Sequence, residues 1–280
     1  MNIKITSDST CDLPRSLLEQ YDITLQPLTV VKGEGTYKDG VDITPTDIFA
    51  HVAAGGDLCS TSAPNIGEYQ QLFARFSKEY DAVIHINIGS GFSTSYQSAC
   101  LAAEDFENVR VIDSQNLSTG QGLVVLAACR YAREMDDLDV ICEKLNELTP
   151  KVEASFLLNR LDYMVKGGRC SSAAALGANL LNLKPCIEVK GGKMSVVKKY
   201  RGSYPKCLSS YVKDRLADRT DIDWDHCFRV YTTVEEECQN VVTEALEEYG
   251  HFSQVTNAVA GCTISCHCGP DTLGVMFVRK

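Results

Sequence analysis

The stretch from Asp81 to Glu104, DAVIHINIGSGFSTSYQSACLAAE, predicts a buried strand, then a loop of small hydroxylated residues, then a helix. Residues 81–88 are apolar and β-branched enough to form a strand that is covered on both faces. Gly89-Ser90-Gly91 interrupts the strand, and Ser93-Thr94-Ser95 falls where a helix cap and first turn are expected. Such a loop gathers hydroxyls and free backbone N–H groups at the positive end of a helix, which suits a phosphate or a carboxylate.

The same stretch offers little for catalysis. No general base, nucleophile pair or metal-ligand cluster stands beside the loop in sequence. Gly89-Ser90-Gly91 lacks the third glycine of a dinucleotide-binding fingerprint, and the chain has no GxxxxGK[ST] phosphate loop. We therefore predict a site that holds an anionic head group, with no catalytic residue and no cofactor.

Composition limits the class of protein. A chain of 280 residues with 44% hydrophobic content has room for one large or two ordinary domains. The net charge of −10 argues against nucleic acid or an anionic membrane as the main partner. The first ten residues have no apolar core of a signal peptide, and the longest apolar run, Leu123 to Cys129, is too short to span a bilayer. We expect a cytoplasmic protein without stable membrane insertion.

Thirteen cysteines, an odd number, are scattered mostly through apolar patterns, which favours reduced thiols in a cytosolic protein. Cys262, Cys266, His267 and Cys268 form one local cluster, and their alternation predicts a strand. Their spacing matches no common zinc motif. Ordinary strand residues, a ligand contact by His267 and a structural zinc site stay open as interpretations, and we predict no metal.

The first half of the chain alternates strands and helices, which predicts a doubly wound, mostly parallel α/β domain over residues 1–151. Strands are expected at 3–7, 23–31, 81–88 and 109–113. Thr44 followed by Pro45 predicts one helix start, and Asn65 with Glu68 has the form of a capping box at another. Further helices are expected at the start of the chain near Pro14 and over 93–104, 118–134 and 137–148.

The second half, residues 152–280, predicts a mixed sheet with helices. Strands are expected at 154–159, 228–232, 254–265 and 273–278, with a hairpin over 186–200 that turns at two glycines. Helices are expected at 171–181, 205–219 and 235–249. No linker separates the halves, so we predict two closely packed α/β domains with a ligand cleft between them.

Four polar segments could add to a site in that cleft. The loop Ser60–Pro64 is either a helix cap or a second set of hydroxyls for an anion, and Ser7–Thr10 is either a polar turn or part of a sheet-edge site. His267, at a predicted strand end before Gly269-Pro270, is exposed enough to contact a ligand. Arg201, where the hairpin closes, is either a solvated cation or a partner for an anion.

Taken in order, five segments resemble the DegV family over essentially the whole chain. They are Ser7–Pro14 (SDSTCDLP), Thr61–Pro64 (TSAP), Ser90–Ala99 (SGFSTSYQSA), Val165–Ser171 (VKGGRCS) and His267–Pro270 (HCGP). This family is similar to bacterial fatty-acid-binding proteins, and some members are the binding subunit of a fatty-acid kinase.

The resemblance implies a two-domain α/β fold with a buried acyl tunnel and a long-chain fatty acid as ligand. It puts the carboxylate at Thr61 and Ser93, with their neighbours Ser62 and Thr94, close to Arg201 and His267. It also implies a possible partner, the catalytic subunit of a fatty-acid kinase. The chain departs from the family pattern at Ala63-Pro64-Asn65 and at Thr94, where glycine is common.

We therefore predict a fatty-acid carrier that is not itself an enzyme. Candidates for lining the tail are the helix Ala173 to Leu181 and the strand around Phe156 and Leu158. One alternative is an enzyme, either an acyl hydrolase or a phosphotransferase, that uses Ser93 or His267, although no GxSxG elbow is present. Another alternative is a binder of small anions that has no pocket for a tail.

Overall fold

A computed structural model describes residues 1–176 and 183–280 of the chain. The strands in these ranges are β1 Ile3–Asp8, β2 Thr24–Gln26, β3 Thr29–Lys32, β4 Gly35–Lys38, β5 Ser60–Ser62, β6 Ala82–Asn87, β7 Val109–Asp113, β8 Val152–Leu158, β9 Leu183–Lys190, β10 Lys193–Arg201, β11 Ile222–Tyr231, β12 Gln254–Val259 and β13 Thr272–Arg279. The helices are α1 Arg15–Gln20, α2 Pro45–Ala53, α3 Ile66–Phe76, α4 Ser95–Ala103, α5 Ser118–Glu134, α6 Leu138–Leu148, α7 Asp162–Gly167, α8 Ser171–Ala174, α9 Tyr204–Leu216, α10 Glu236–Tyr249 and α11 Cys262–Cys268.

The first half contains the predicted parallel sheet. Its order is β2-β1-β6-β7 and every pairing is parallel, with Ile5 opposite Ile84 on the central strands. Residues alternate between two apolar layers along β6: Val83 packs with α3 and α4, and Ile84 packs with α5. Helices therefore cover both faces, and the predicted α/β class is confirmed.

A small antiparallel sheet, β4-β3-β5, was not expected from the sequence. The predicted strand 23–31 is two strands, since the chain breaks at Pro27 and passes from the parallel sheet to this one. Proline lacks the N–H that a continued ladder needs. The small sheet matters because β5 places Thr61 opposite Val30 at the edge of the ligand cavity described below.

The second half forms a six-stranded sheet of order β10-β9-β8-β13-β11-β12. Only the β11–β12 pair is parallel within it, so the predicted mixed sheet is confirmed. Helices α9 and α10 cover its outer face. The hairpin of β9 and β10 turns at Gly191 and Gly192, which both have positive φ, as predicted for a two-glycine turn.

Helix α5 lies between the two large sheets. Its first two-thirds are almost wholly buried, and it contacts β1 and β6 on one side and β8, β11 and β13 on the other. One apolar core therefore runs from Ile84 through Val124 to Phe156 and Met276. The two halves therefore pack closely. The first strand of the second half, β8, begins at Val152, and the division into domains 1–151 and 152–280 stays a prediction.

Residues 260–268 differ from the predicted strand. The strand β12 ends at Val259, and Cys262–Cys268 is helix α11, so His267 lies on a helix and not at a strand end. The first N–H groups of α11 are bound by carboxylates from distant parts of the chain. Asp12 accepts from Gly261 N at 2.9 Å, and Asp39 accepts from Cys262 N at 2.9 Å and Thr263 N at 3.2 Å. These long-range caps stabilise a helix that the local alternation does not predict.

Two predicted helix starts are confirmed as capping boxes, at Thr44 with Asp47 and at Asn65 with Glu68. The predicted helix 171–181 is helical over Ser171–Ala174, and its later part falls on residues 177–182, outside the described residues. Among the helices of the described ranges, none has the length and apolar character required to cross a bilayer.

Candidate functional site

A cavity of about 480 Å³ lies where the loop after β6, strand β5 and helices α7 and α11 meet. This volume is within the range of roughly 300–1,000 Å³ that is usual for small-molecule sites. Its walls come from both halves of the chain: Leu28, Thr61, Ser62, Ala63, Ile88, Ser90, Gly91, Phe92, Ser93, Thr94, Gln97, Leu117, Met164, Arg169, Met194, Thr263, Ile264, His267 and Cys268. The cavity opens at the carboxyl end of the parallel strand β6, the edge where α/β sheets usually bind ligands.

Thr61 and His267 meet in the wall of the cavity. Their Oγ1 and Nε2 atoms are 2.8 Å apart, although they lie on β5 and α11, 206 residues distant in sequence. Burial, together with the nearby charge of Arg169, lowers the pKa of His267 to about 4, so the imidazole is neutral at pH 7.

The single N–H hydrogen of the neutral ring can be assigned from this geometry. The Nδ1 atom of His267 is buried without a partner, and a buried unpaired N–H is rarer and costlier than an unpaired acceptor. The hydrogen therefore belongs on Nε2, which donates to Thr61 Oγ1. Thr61 then keeps its own hydroxyl hydrogen for an acceptor in the cavity.

Ser93 and Thr94 lie at the start of α4, as predicted, and Thr94 is the N-cap residue. The Oγ atom of Ser93 is 2.8 Å from Ser95 Oγ, and it accepts from Ser95 N at 3.2 Å. Ser90 is used differently, because its N–H and hydroxyl both donate to Asp113, at 3.0 and 2.6 Å. Ser90, Ser93 and Thr94 all line the cavity, and the hydrogen bonds of Ser90 to Asp113 fix the loop there.

Among the described residues that line the cavity, Arg169 is the one arginine or lysine, whereas the sequence analysis expected Arg201 to supply the positive charge. Arg169 follows α7, donates from Nη1 to Gly167 O at 2.6 Å and lies near enough to His267 to lower its pKa. A Cβ atom at Gly167 would lie 2.5 Å from His267 Nδ1, so the glycine allows this turn to pack against the imidazole. Arg169 lies in Val165–Ser171, one of the five segments that resemble the family, and this was the signal in the sequence that could have identified it.

Arg201 is not among the residues that line the cavity. It is the exposed last residue of β10, opposite Leu183, whereas Met194 near the start of the same strand lines the cavity. Seven residues separate them, and an extended strand covers roughly 23 Å in that length. The structure therefore brings together Thr61, Ser62, Ser93, Thr94 and His267, and it leaves Arg201 at the far end of its strand.

Apolar side chains form a large part of the cavity wall: Leu28, Ala63, Ile88, Phe92, Leu117, Met164, Met194, Ile264 and Cys268. A second, very small apolar cavity of about 20 Å³ adjoins it, since Leu117, Ile264 and Cys268 line both. Phe156, one of the predicted tail residues, lines this second cavity. Leu158 and Ala173 are instead buried in the main core, and the remaining candidates of 173–181 lie partly outside the described residues.

Three buried aspartates behind the cavity were missed by sequence reasoning. Asp8 lies behind the Ser93 loop, and Asp12 and Asp39 cap α11, which carries His267. Burial raises the pKa of Asp12 well above its ordinary value, and the nearby Asp39 adds to that rise. Of the three, only Asp8 lies in Ser7–Thr10, the segment interpreted as either a polar turn or part of a sheet-edge site, and no local pattern marked Asp12 or Asp39.

The cysteine cluster does not converge on one point. Cys262 and Cys266 pack on the apolar cluster with Val30 and Ile48, whereas His267 and Cys268 line the ligand cavity. In residues 1–176 and 183–280 no group of three or more His, Cys, Asp or Glu side chains is arranged to hold a metal ion.

Comparison with known proteins identifies the family. A family model with the description 'Uncharacterised protein, DegV family' matches residues 2–280 of the chain. The chain therefore belongs to the DegV family, as the five segments predicted. A DegV domain-containing protein of Caldanaerobacter subterraneus is 33% identical over 281 residues, which is 99% of each chain.

Two solved structures are similar over nearly their whole length. The Thermus thermophilus structure, titled as fatty acid binding of a DegV family protein, has a TM-score of 0.91 and 29% identity and covers 100% of both chains. A stearic acid-binding protein from Eubacterium ventriosum has a TM-score of 0.86 and 28% identity, and covers 99% of this chain and 98% of its own.

Proposed function

We propose that this protein binds a long-chain fatty acid, with its carboxylate at Thr61 and Ser93 and its tail in the apolar part of the cavity. The main support for this proposal is the lining of the cavity. A cavity of about 480 Å³ is lined both by hydroxyl residues, among them Thr61 and Ser93, and by apolar side chains, among them Phe92, Met164 and Ile264. The fatty-acid-binding descriptions of the Thermus and Eubacterium structures support the same ligand class.

The hydroxyl side chains that line the cavity provide donors for a carboxylate. Thr61 keeps a free hydroxyl hydrogen because His267 donates to it, and Ser93 and Thr94 add hydroxyls at the positive end of α4. Arg169 supplies a partly screened positive charge, since its side chain is exposed. The tail supplies most of the affinity, because each buried methylene contributes about 0.8 kcal/mol. The head-group contacts then mainly fix orientation.

The direct test is analysis of lipid in the purified protein. Organic extraction followed by mass spectrometry should yield a long-chain fatty acid in about molar proportion to protein. Delipidated protein should bind palmitate or oleate in calorimetric titration and should not bind acetate, which shares the head group alone. Protein without lipid that also fails to bind either fatty acid would falsify the proposal.

An acyl hydrolase or phosphotransferase is less well supported. A serine nucleophile needs a base within hydrogen-bond reach, and the recorded partner of the Ser93 hydroxyl is Ser95. A phosphoryl-accepting histidine needs an accessible nitrogen, whereas His267 has Nε2 engaged by Thr61 and Nδ1 buried. Pure protein should therefore turn over neither acyl esters nor ATP. Turnover that Ser93→Ala abolishes would favour the enzyme.

We further propose that the bound fatty acid is presented to a separate kinase, as the family resemblance implies. The carboxylate end of the cavity carries Arg169, and an acyl phosphate bears more negative charge than a carboxylate, so a cation there favours the product. Arg201 remains a candidate for contact with the kinase, because it is exposed on the outer end of β10. The cytoplasm fits this role, since all thirteen cysteines are free thiols.

A further inference from the structure

A separate cavity of about 260 Å³ lies on the outer side of the six-stranded sheet, between helix α10 and the last two strands, β11 and β12. None of the described residues that line it also lines the cavity of Thr61 and Ser93. Arg229 of β11 and Asn257 of β12 both line it, and they are partners in the parallel register. The two side chains therefore come from neighbouring positions on the face that α10 covers.

Arg229 is a buried cation without an anionic partner. It is only 7% exposed, and no carboxylate in the part of the chain that the structure describes forms an ion pair with it. Burial lowers the pKa of Arg229, and the group that opposes this shift is Tyr231, whose ring centroid lies 6.0 Å from Arg229 Cζ. A guanidinium keeps its proton in proteins, so the positive charge persists at neutral pH. Such a buried charge is costly unless an anion or a full set of hydrogen bonds compensates it.

The hydrogen bonds of Arg229 use one end of the guanidinium. Nη1 donates to Gln239 O at 2.8 Å and to the Thr243 hydroxyl, which itself donates to Gln239 O at 2.9 Å. Nε is buried without a partner, and Nη2 makes no hydrogen bond within the described ranges. The N–H of Nε and one N–H of Nη2 share an edge of the guanidinium, and together they match the two oxygens of a carboxylate. This edge is the unused part of the side chain.

The remaining walls of the cavity restrict the size and charge of a ligand. Leu246, Phe252 and Val255 form an apolar surface beside Arg229. The volume is below the roughly 300–1,000 Å³ of sites for drug-sized molecules, so the ligand is small. Glu247, which is exposed on α10, also lines the cavity and disfavours ligands with more than one negative charge. These walls favour a monoanion with a short apolar body.

We infer that Arg229 binds the carboxylate of a small monocarboxylic acid with a short apolar body, at a site separate from the cavity of Thr61 and Ser93. The amide of Asn257, beside Arg229 in the register, is a second donor for the same carboxylate. This inference does not rest on the proposed fatty-acid function, because the two cavities have different walls. The bound acid neutralises the buried charge, so it should also stabilise the folded protein against urea.

The probe is 4-methylpentanoate, titrated by ligand-observed NMR, with 4-methylpentanol as its uncharged counterpart. The acid should bind at least about tenfold more tightly than the alcohol, because only the acid pairs with the guanidinium. Arg229→Gln keeps a donor for Gln239 O but removes the charge, and it should weaken binding of the acid at least about tenfold. Excess palmitate should leave binding of the acid unchanged.

Val255→Trp tests the site without altering the buried arginine. Val255 is exposed on β12, so the larger side chain fills the cavity with little risk to folding, and it should abolish binding of the acid. Val259→Trp is the matched control, since Val259 is exposed on the same strand but does not line the cavity, and it should leave binding unchanged.

Four results would overturn the inference. They are a natural-sequence protein that does not bind 4-methylpentanoate, equal binding of acid and alcohol, displacement of the acid by palmitate, and acid binding that survives Val255→Trp. Because Val255→Trp leaves Arg229 in place, it decides the question even if Arg229→Gln fails to fold by circular dichroism. None of these results bears on whether the protein binds a long-chain fatty acid at Thr61 and Ser93, which extraction and palmitate titration test separately.

Discussion

The substitution Thr61→Val tests the carboxylate site directly. Valine keeps the branched shape of threonine but removes the hydroxyl that lies 2.8 Å from His267 Nε2. Two losses follow. The ligand loses a hydrogen bond to a charged acceptor, a class of interaction that contributes about 1.5–3 kcal/mol, which predicts about 10- to 100-fold weaker fatty-acid binding.

The second loss falls on the folded protein. His267 already has an unpaired Nδ1, and Thr61→Val would leave its Nε2–H unpaired as well. Such an unsatisfied buried group costs about 1–3 kcal/mol of the free energy of unfolding. Because the pKa of His267 is already about 4, the ring stays neutral at pH 7, so the effect on binding is not caused by a new positive charge.

The assay is calorimetric titration of delipidated protein with oleate, alongside urea unfolding. Thr61→Ser keeps the hydroxyl and should bind within about threefold of the natural sequence. Ser60→Ala is the control, since Ser60 lies on the same strand but is exposed and does not line the cavity. Unchanged oleate affinity in a folded Thr61→Val protein would refute the assignment of Thr61 as a carboxylate donor.

Further outcomes follow from the charges around the cavity. Arg169→Ala should weaken oleate binding about two- to fivefold. Arg201→Ala should leave oleate binding unchanged, because Arg201 does not line the cavity. Equal effects of the two substitutions would contradict this placement of the two arginines. Since the folded-state pKa of His267, about 4, lies below the ordinary 6.5, the unfolded chain takes up this proton more readily. His267 should therefore lower stability as pH falls from about 6.5 to 4, by about 1–3 kcal/mol, and not above pH 7. Between pH 7 and pH 5, the free energy of unfolding measured in urea should fall more for the natural sequence than for His267→Gln. An equal fall in both proteins would contradict this role of His267. Asp39→Ala should destabilise the protein by about 1–3 kcal/mol, because it leaves two buried N–H groups of α11 unpaired, and an unchanged urea midpoint would argue against that capping role.

The sequence alone determined the parts of the site whose causes are local. The strand, the serine-rich loop and the helix over 81–104 are encoded by apolar β-branched residues, glycines and hydroxylated cap residues that are neighbours in the chain. The capping box at Asn65 was predictable for the same reason, since the cap and N3 residues are three positions apart, and Thr44 before Pro45 predicted the other helix start. The ordered motifs also identified the family, which brought Thr61, Ser93 and His267 into one expected site.

Only the tertiary structure decided the features that depend on distant partners. Helix α11 was expected to be a strand because its cysteines alternate, and its N–H groups are satisfied by Asp12 and Asp39, more than 200 residues away in sequence. Arg169 rather than Arg201 reaches the cavity because Gly167 allows a turn to pack on His267, whereas β10 carries Arg201 away from it. A local pattern specifies which N–H groups, hydroxyls and charges a segment offers. Which of them meet is decided by how the two sheets pack around α5, and that packing is the sum of many long-range contacts.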